Sequence, residues 1–345
     1  MHILRKTHAP LAAIVAVAAF LPTLAQAEPN AQMTEVLNTY GKLSPIPIEK
    51  TTPAVAKAAP TLATAVEIVM KKDGKPMPAF TGTTQDFTID VGEGHKVDAR
   101  AYIPAGDGPF PTVLYIHGGG WVIGSVKSYD STPRALCEMT KATVISTEYR
   151  QAPDNKFPTA HDDTQSVYRW VLANAAQYKG DPKKVAVAGE SAGGNMAAEI
   201  CVYAKEKGLQ MPVHQLLVYP VVGYDFETKS YKDNETTKPL SAEGLKWFYK
   251  YYLPKPEDGN DPRFNLLQVK DVSGLPPATI IAAEIDPLLT EGKSYADKLQ
   301  AAGVKVQYKV YDGVTHEFFS MGAVIDEAKQ AEQFASEQLK MAFGK

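Results

Sequence analysis

Cysteine is scarce in this chain: Cys137 and Cys201 are the only two in 345 residues. That excludes a disulfide-stapled scaffold, and their spacing matches no metal motif. Basic blocks are missing as well. The 36 Lys and Arg residues stand against 39 Asp and Glu, for a formal charge of −3, and there is no acidic tail. A nucleic-acid partner is therefore not expected. No internal repeat or low-complexity tract is present, which excludes a solenoid and a disordered linker protein. What remains is a globular composition, 44% hydrophobic and 22% charged. The length suits one large domain, or a domain with a smaller lid.

The first residues carry a different signal. His2, Arg5 and Lys6 precede an apolar stretch from about Leu11 to Leu21, and Ala25-Gln26-Ala27 follows as a small-x-small boundary. This pattern predicts a secretory signal over 1–27, cleaved after Ala27, and hence a periplasmic or secreted protein. The apolar run is short for a spanning helix and Pro22 interrupts its end, so stable membrane insertion is not expected.

Residues 28 to about 85 read as an arm of short helices and loops, punctuated by prolines and without strong periodicity. From Phe87, FTID and KVDARAYIP alternate apolar and polar residues across Gly92-Glu93-Gly94, which predicts a hairpin. Apolar runs then alternate with helical patterns. Strands are expected at TVLYIH (112–117), TVISTEY (143–149), KVAVAG (184–189), QLLVYP (215–220), PATIIAA (277–283) and KVQYKVY (305–311). Helices are expected over 131–142, 160–177, 192–207, 290–302 and 325–341. Such alternation implies an α/β fold with a mostly parallel sheet covered on both faces. One long insertion, about 223–270, breaks the rhythm. Its aromatic helix LKWFYKYYL (245–253) suggests a cap, with Trp247 and Phe248 as candidate substrate contacts.

Three stretches carry chemistry. GESAGGN (189–195) follows a strand and opens a helix, the context a nucleophile elbow requires, and nominates Ser191. The helix start would aim the Ala192 N–H at a developing oxyanion. HGGGW (117–121) places three glycines directly after a strand. No Gly-Lys-Ser/Thr follows, which argues against a phosphate loop. The Gly119 and Gly120 amides become the other candidate oxyanion donors, with His117 shaping the loop and Trp121 a candidate substrate contact. Of the seven histidines, His316 follows the last strand, where a doubly wound hydrolase would deliver its base. Asp286, after PATIIAA, is the candidate orienting carboxylate. Glu284 and Asp312 compete for that role, and Asp286-Pro287 could alternatively be a helix cap followed by a first-turn proline.

With these motifs, together with YRQAPDNKFPTAHDD (149–163), NDPRFNLL (260–267), IDPLL and HEFF, the chain resembles the hormone-sensitive-lipase-like family of α/β-hydrolases over residues 85–345. The resemblance implies an eight-stranded α/β-hydrolase core, a cap built from the arm and an insertion after the sixth strand, and esterase activity without cofactor or metal. It also implies that the helices bearing Cys137 and Cys201 pack on opposite faces of the sheet, leaving two buried free thiols. Two departures stand out. Glu190 occupies the place of the usual Asp before the nucleophile, and Gln151-Ala152-Pro153-Asp154 replaces Leu-Ala-Pro-Glu.

The expected function is thus an exported serine carboxylesterase acting on short- to medium-chain esters through Ser191, His316 and Asp286. Its partner would be a small-molecule ester, and it would be a monomer or homodimer. A serine peptidase or amidase on the same core, and a non-catalytic hydrolase-like binding protein, are the alternatives.

Overall fold

The structure is a computed structural model, and it describes residues 27–44 and 46–345. The expected export signal, up to Gln26, lies outside the described residues. The arm contains helices α1 (Ala31–Leu43), α2 (Pro53–Ala58) and α3 (Leu62–Lys72). The sheet then begins with β1 (Thr83–Gly92) and β2 (His95–Ile103), followed by β3 (Phe110–Ile116), α4 (Ser131–Thr140), β4 (Thr143–Thr147), α5 (Thr159–Asn174), β5 (Gly180–Glu190), α6 (Ala192–Lys207) and β6 (Gln215–Val218). The insertion carries α7 (Lys229–Asp233) and α8 (Ala242–Tyr252). The chain closes with β7 (Ala278–Ile285), α9 (Leu289–Ala301), β8 (Val306–Thr315) and α10 (Asp326–Phe343).

The eight strands form one sheet in the order β1-β2-β4-β3-β5-β6-β7-β8. β1 and β2 are the antiparallel hairpin, β2 runs antiparallel to β4, and the remaining neighbours are parallel. The expected α/β-hydrolase architecture is therefore what the chain adopts. The central strands read as unbroken apolar runs because both of their faces are buried. Alternate residues of β3 part company: Leu114 and Ile116 enter one core, Val113 and Tyr115 the other. Cys201 of α6 lies in the first core and Cys137 of α4 in the second, both buried and unpaired.

The arm is less irregular than its sequence suggested. α3 buries Leu62, Ala65, Val69 and Met70, which lie on one helical face, and α1 buries Met33 and Val36. All six join the core that also holds Tyr311 and Phe318. The many alanines and prolines around these positions had masked the period. Burial of the larger side chains, at roughly 1.5–3 kcal/mol each, fixes the arm to the body. The link between α1 and α3 then crosses to the insertion. There the Trp247 indole N–H of α8 donates to the Thr51 carbonyl at 2.9 Å.

Six parallel strands, β3, β4, β5, β6, β7 and β8, end on one edge of the sheet. The segments leaving that edge begin at His117, Glu148, Ser191, Tyr219, Asp286 and His316. Residues far apart in sequence thereby meet at the carboxyl edge, under the arm and α8.

Candidate active site

The turn between β5 and α6 is strained. Ser191 sits at φ 56°, ψ −119°, a conformation that costs an ordinary side chain about 1–3 kcal/mol. Its backbone is pinned from both sides: the Ser191 N–H donates to Val218 at 2.9 Å, and its carbonyl accepts from Asn195 at 3.0 Å and Val221 at 3.2 Å. Gly193 permits the close approach of β3. A β-carbon there would lie 2.1 Å from the Ile116 carbonyl oxygen.

His316 connects the remaining partners. Its Nε2 lies 2.9 Å from Ser191 Oγ, and its Nδ1 lies 2.7 Å from Asp286 Oδ2. All three side chains are almost sealed, at 5% exposure for Ser191, 3% for His316 and 1% for Asp286, and Ser191 and His316 line a cavity. Asp286 Oδ1 accepts the Leu288 N–H at 2.9 Å, which fixes the carboxylate's rotation. Asp286 is not the cap of α9: Leu288 occupies that position and the helix starts at Leu289. The competing carboxylates lie elsewhere. Glu284 accepts the Gly313 N–H and holds the end of β8, while Asp312 is exposed. Burial alone would lower the His316 pKa. The charge of Asp286 and its hydrogen bond, with smaller contributions from Glu317 and Glu190, outweigh burial and raise it above its ordinary value.

The glycine loop faces the same point. Gly119 has φ +99°, and a β-carbon on it would fall 2.1 Å from the Ile123 carbonyl oxygen, so only glycine fits. The ring of Phe248 packs directly over Gly120. The N–H groups of Gly119, Gly120 and Ala192 donate to no protein acceptor among the described residues. His117 holds the loop from behind: its ring nitrogens lie 2.7 Å from the Gly118 carbonyl oxygen and 3.1 Å from Glu148 Oε2.

Glu190 explains its departure from the family pattern. Its buried carboxylate accepts three hydroxyls, Tyr115 at 2.6 Å and Thr132 at 2.7 Å on Oε1, and Tyr219 at 2.5 Å on Oε2. Burial pushes its pKa up, and the three hydrogen bonds oppose that shift. Tyr219 also packs against the His316 ring, with centroids 4.5 Å apart. The longer side chain thus gathers β3, α4 and the end of β6 behind the serine. Sequence reasoning found neither tyrosine, although the run YPVV after β6 marks where Tyr219 lies.

A second buried network also escaped it. His161 of α5 bonds Asn195 Oδ1 through Nε2 at 2.8 Å and accepts from the Tyr252 hydroxyl at Nδ1, 2.7 Å away. Burial pushes the His161 pKa down to about 4, so the ring is neutral and serves both bonds at once. Asn195 Nδ2 donates to the Val221 and Phe264 carbonyls. Trp121 stacks on Tyr252, with centroids 4.6 Å apart and planes 2° from parallel. Only the Asn of GESAGGN hinted at this link between elbow and cap.

A cavity of about 1140 Å³ opens above Ser191 and His316. Trp121 and Phe248 line it, together with the arm on one side and α8 on the other. Trp247 does not fill the expected role. Its indole turns away to the Thr51 carbonyl, because this aromatic helix must also tie the insertion to the arm.

A sequence profile for the α/β-hydrolase fold matches residues 113–320. Ethyl acetate hydrolase of Pseudomonas putida is 37% identical over 249 residues, covering 71% of this chain and 78% of that protein. Carboxylic ester hydrolase LipN of Mycobacterium tuberculosis is 35% identical over 255 residues, covering 72% and 68%. Among solved structures, an ester hydrolase from the metagenome of Lake Arreo superposes with a TM-score of 0.82 at 32% identity, over 92% of this chain and 100% of that one. A thermostable esterase from Pseudomonas putida gives a TM-score of 0.83 at 29% identity, over 91% and 98%.

Proposed function

From the premise that this chain belongs to the hormone-sensitive-lipase-like family of α/β-hydrolases and is a carboxylic ester hydrolase, we propose that Ser191, His316 and Asp286 are its catalytic residues. One observation carries this reading: the unbroken chain of contacts from Ser191 Oγ through His316 to Asp286, at 2.9 and 2.7 Å, opening on a cavity.

In the proposed reaction, His316 Nε2 takes the Ser191 hydroxyl proton as Oγ bonds to the ester carbonyl carbon. The carbonyl electron pair moves onto oxygen, where the Gly119, Gly120 and Ala192 amides and the start of α6 receive it. The C–O bond to the alcohol then breaks and His316 returns the proton to the leaving oxygen. Water repeats the sequence on the acyl-enzyme and releases the acid. Asp286 keeps the proton on Nδ1 and stabilises the imidazolium. Short- to medium-chain esters are the proposed substrates, supported by the relative that is named for ethyl acetate and by the roof that the arm and α8 place over the serine. The test is a chain-length series of nitrophenyl esters on the wild type and on Ser191→Ala. The wild type should turn over the shorter esters, and the variant should lose about 10⁴-fold or more in kcat. Failure of the wild type on every ester would refute the function, and an active variant would refute the nucleophile.

Export is part of the same reading, supported by the basic start, the short apolar stretch and the Ala25-Gln26-Ala27 boundary. The mass of the mature protein should begin at Glu28, and an intact Met1 in an exported fraction would sink the idea.

A further inference from the structure

The residue after His316 is an acid on the cavity wall, and no bond or proton of the proposed reaction passes through it. Glu317 adopts a left-handed conformation at φ 69°, and its side chain lines the cavity. Oε1 accepts the Tyr129 hydroxyl at 2.8 Å, and Tyr129 is itself buried, so the carboxylate is tethered from below. Oε2 takes no protein donor among the described residues, yet it is not a sealed orphan atom. It is therefore open to solvent, on a residue that lines the cavity.

The reaction decides which part of an ester would meet it. The oxyanion points at the glycine-loop amides, whereas the leaving oxygen must come within hydrogen-bonding reach of His316 Nε2 to receive its proton. The alcohol portion therefore departs on the side of His316 and its chain neighbour Glu317. The surroundings favour positive charge there. The cavity wall carries Glu49, Glu235, Glu243 and Glu317 against Lys57 and Lys238, and among the described residues Glu243 is the one of these acids engaged by a lysine, Lys246. The aromatic rings of Tyr40, Tyr129 and Phe248 line the same space and can face a cation.

Resting on the esterase reading above, we propose that Glu317 is a specificity-determining residue that favours esters with a cationic alcohol group, of the quaternary-ammonium type, and disfavours those with an anionic one. The carboxylate attracts or repels charge on the alcohol across the cavity, where water weakens the interaction and limits the effect to about tenfold for each step in charge.

The experiment compares kcat/KM for three esters of one acid and similar alcohol size: butyrylcholine, its uncharged carbon isostere 3,3-dimethylbutyl butyrate, and anionic 4-butyryloxybutanoate. The wild type should rank them cation, neutral, anion, with about tenfold between successive members. Glu317→Gln keeps an acceptor for Tyr129 but removes the charge, and should shrink the cation-to-anion ratio by at least tenfold. Tyr129→Phe, which only loosens the tether, should shrink it by a smaller factor. Because each ratio is taken within one protein, a general loss of folded enzyme does not move it. Turnover of the neutral ester with no charge ranking in the wild type, or an unchanged ratio in Glu317→Gln, overturns the inference while leaving the esterase reading intact. Failure on all three esters overturns both.

Discussion

The floor and the roof of the cavity are held by different physics. On the floor, Ser191 is kept at a positive φ by three backbone hydrogen bonds, Gly193 touches β3 where no side chain fits, and Glu190 gathers three hydroxyls. On the roof, residues 46–61 and α8 meet through apolar side chains, with Ile48 against Gly244 and one indole bond from Trp247 to Thr51. Directional, buried polar contacts define positions closely and are expensive to disturb. Apolar contacts adapt to changes in shape. In the proposed reaction, proton transfer over 2.9 Å would rest on the rigid part, and accommodation of different esters on the adaptable part.

That contrast breaks most sharply at Gly193. Gly193→Ala drives a methyl group into the Ile116 carbonyl and separates the elbow from β3. We expect kcat to fall by about 10² or more, with a lowered Tm in the same preparation. A variant with near-normal kcat would show that the floor is not rigid.

Glu190→Gln comes next. The amide can accept from only one side, so at least one of Tyr115, Thr132 and Tyr219 is left badly paired, at about 1–3 kcal/mol. Thermal unfolding should register that loss, and kcat should fall more than KM rises because Tyr219 supports the His316 ring.

The pH profile probes the floor without mutation. As the proposed base, His316 would have to be neutral to take the serine proton, and its pKa is raised above the ordinary value of about 6.5. Activity is thus expected to be complete above that raised value and to fall as pH drops through it, so the acidic limb of kcat/KM should lie above pH ~6.5. A limb well below it would contradict the Asp286 contact.

The smallest effect belongs to the roof. Trp247→Phe removes one hydrogen bond to Thr51 but keeps most of the ring, a change of about 1 kcal/mol. KM should change by less than about threefold with kcat nearly constant. A large drop in kcat would erase the distinction between floor and roof.

How much of this was legible in the sequence follows the same division. The α/β order, the hairpin and the positions of Ser191, Gly119, Gly120, Asp286 and His316 could be read because each depends on a short motif tied to a strand end. The order of strands brings those ends together. The Glu190 cage could not be read, since its meaning depends on Tyr115 arriving from β3 and Tyr219 from the segment after β6. Nor could the bridge from Asn195 through His161 to Tyr252, where the final pair is 91 residues apart, or the Trp247 contact to Thr51 across 196. Trp247 looked like a pocket residue because aromatic composition does not reveal which way a ring turns. The periods of α1 and α3 were hidden for a related reason: short amphipathic helices set among proline- and alanine-containing links declare a buried face only when a partner covers it.

The central claim is that Ser191 is the nucleophile at the strained end of β5. Its most direct test is peptide mapping by mass spectrometry after treatment with a reactive alkyl phosphonate ester. One adduct on Ser191, formed in step with loss of esterase activity and absent from Ser191→Ala, is the result expected. An adduct on a different serine accompanying inactivation, or full inactivation with Ser191 unmodified, would contradict it.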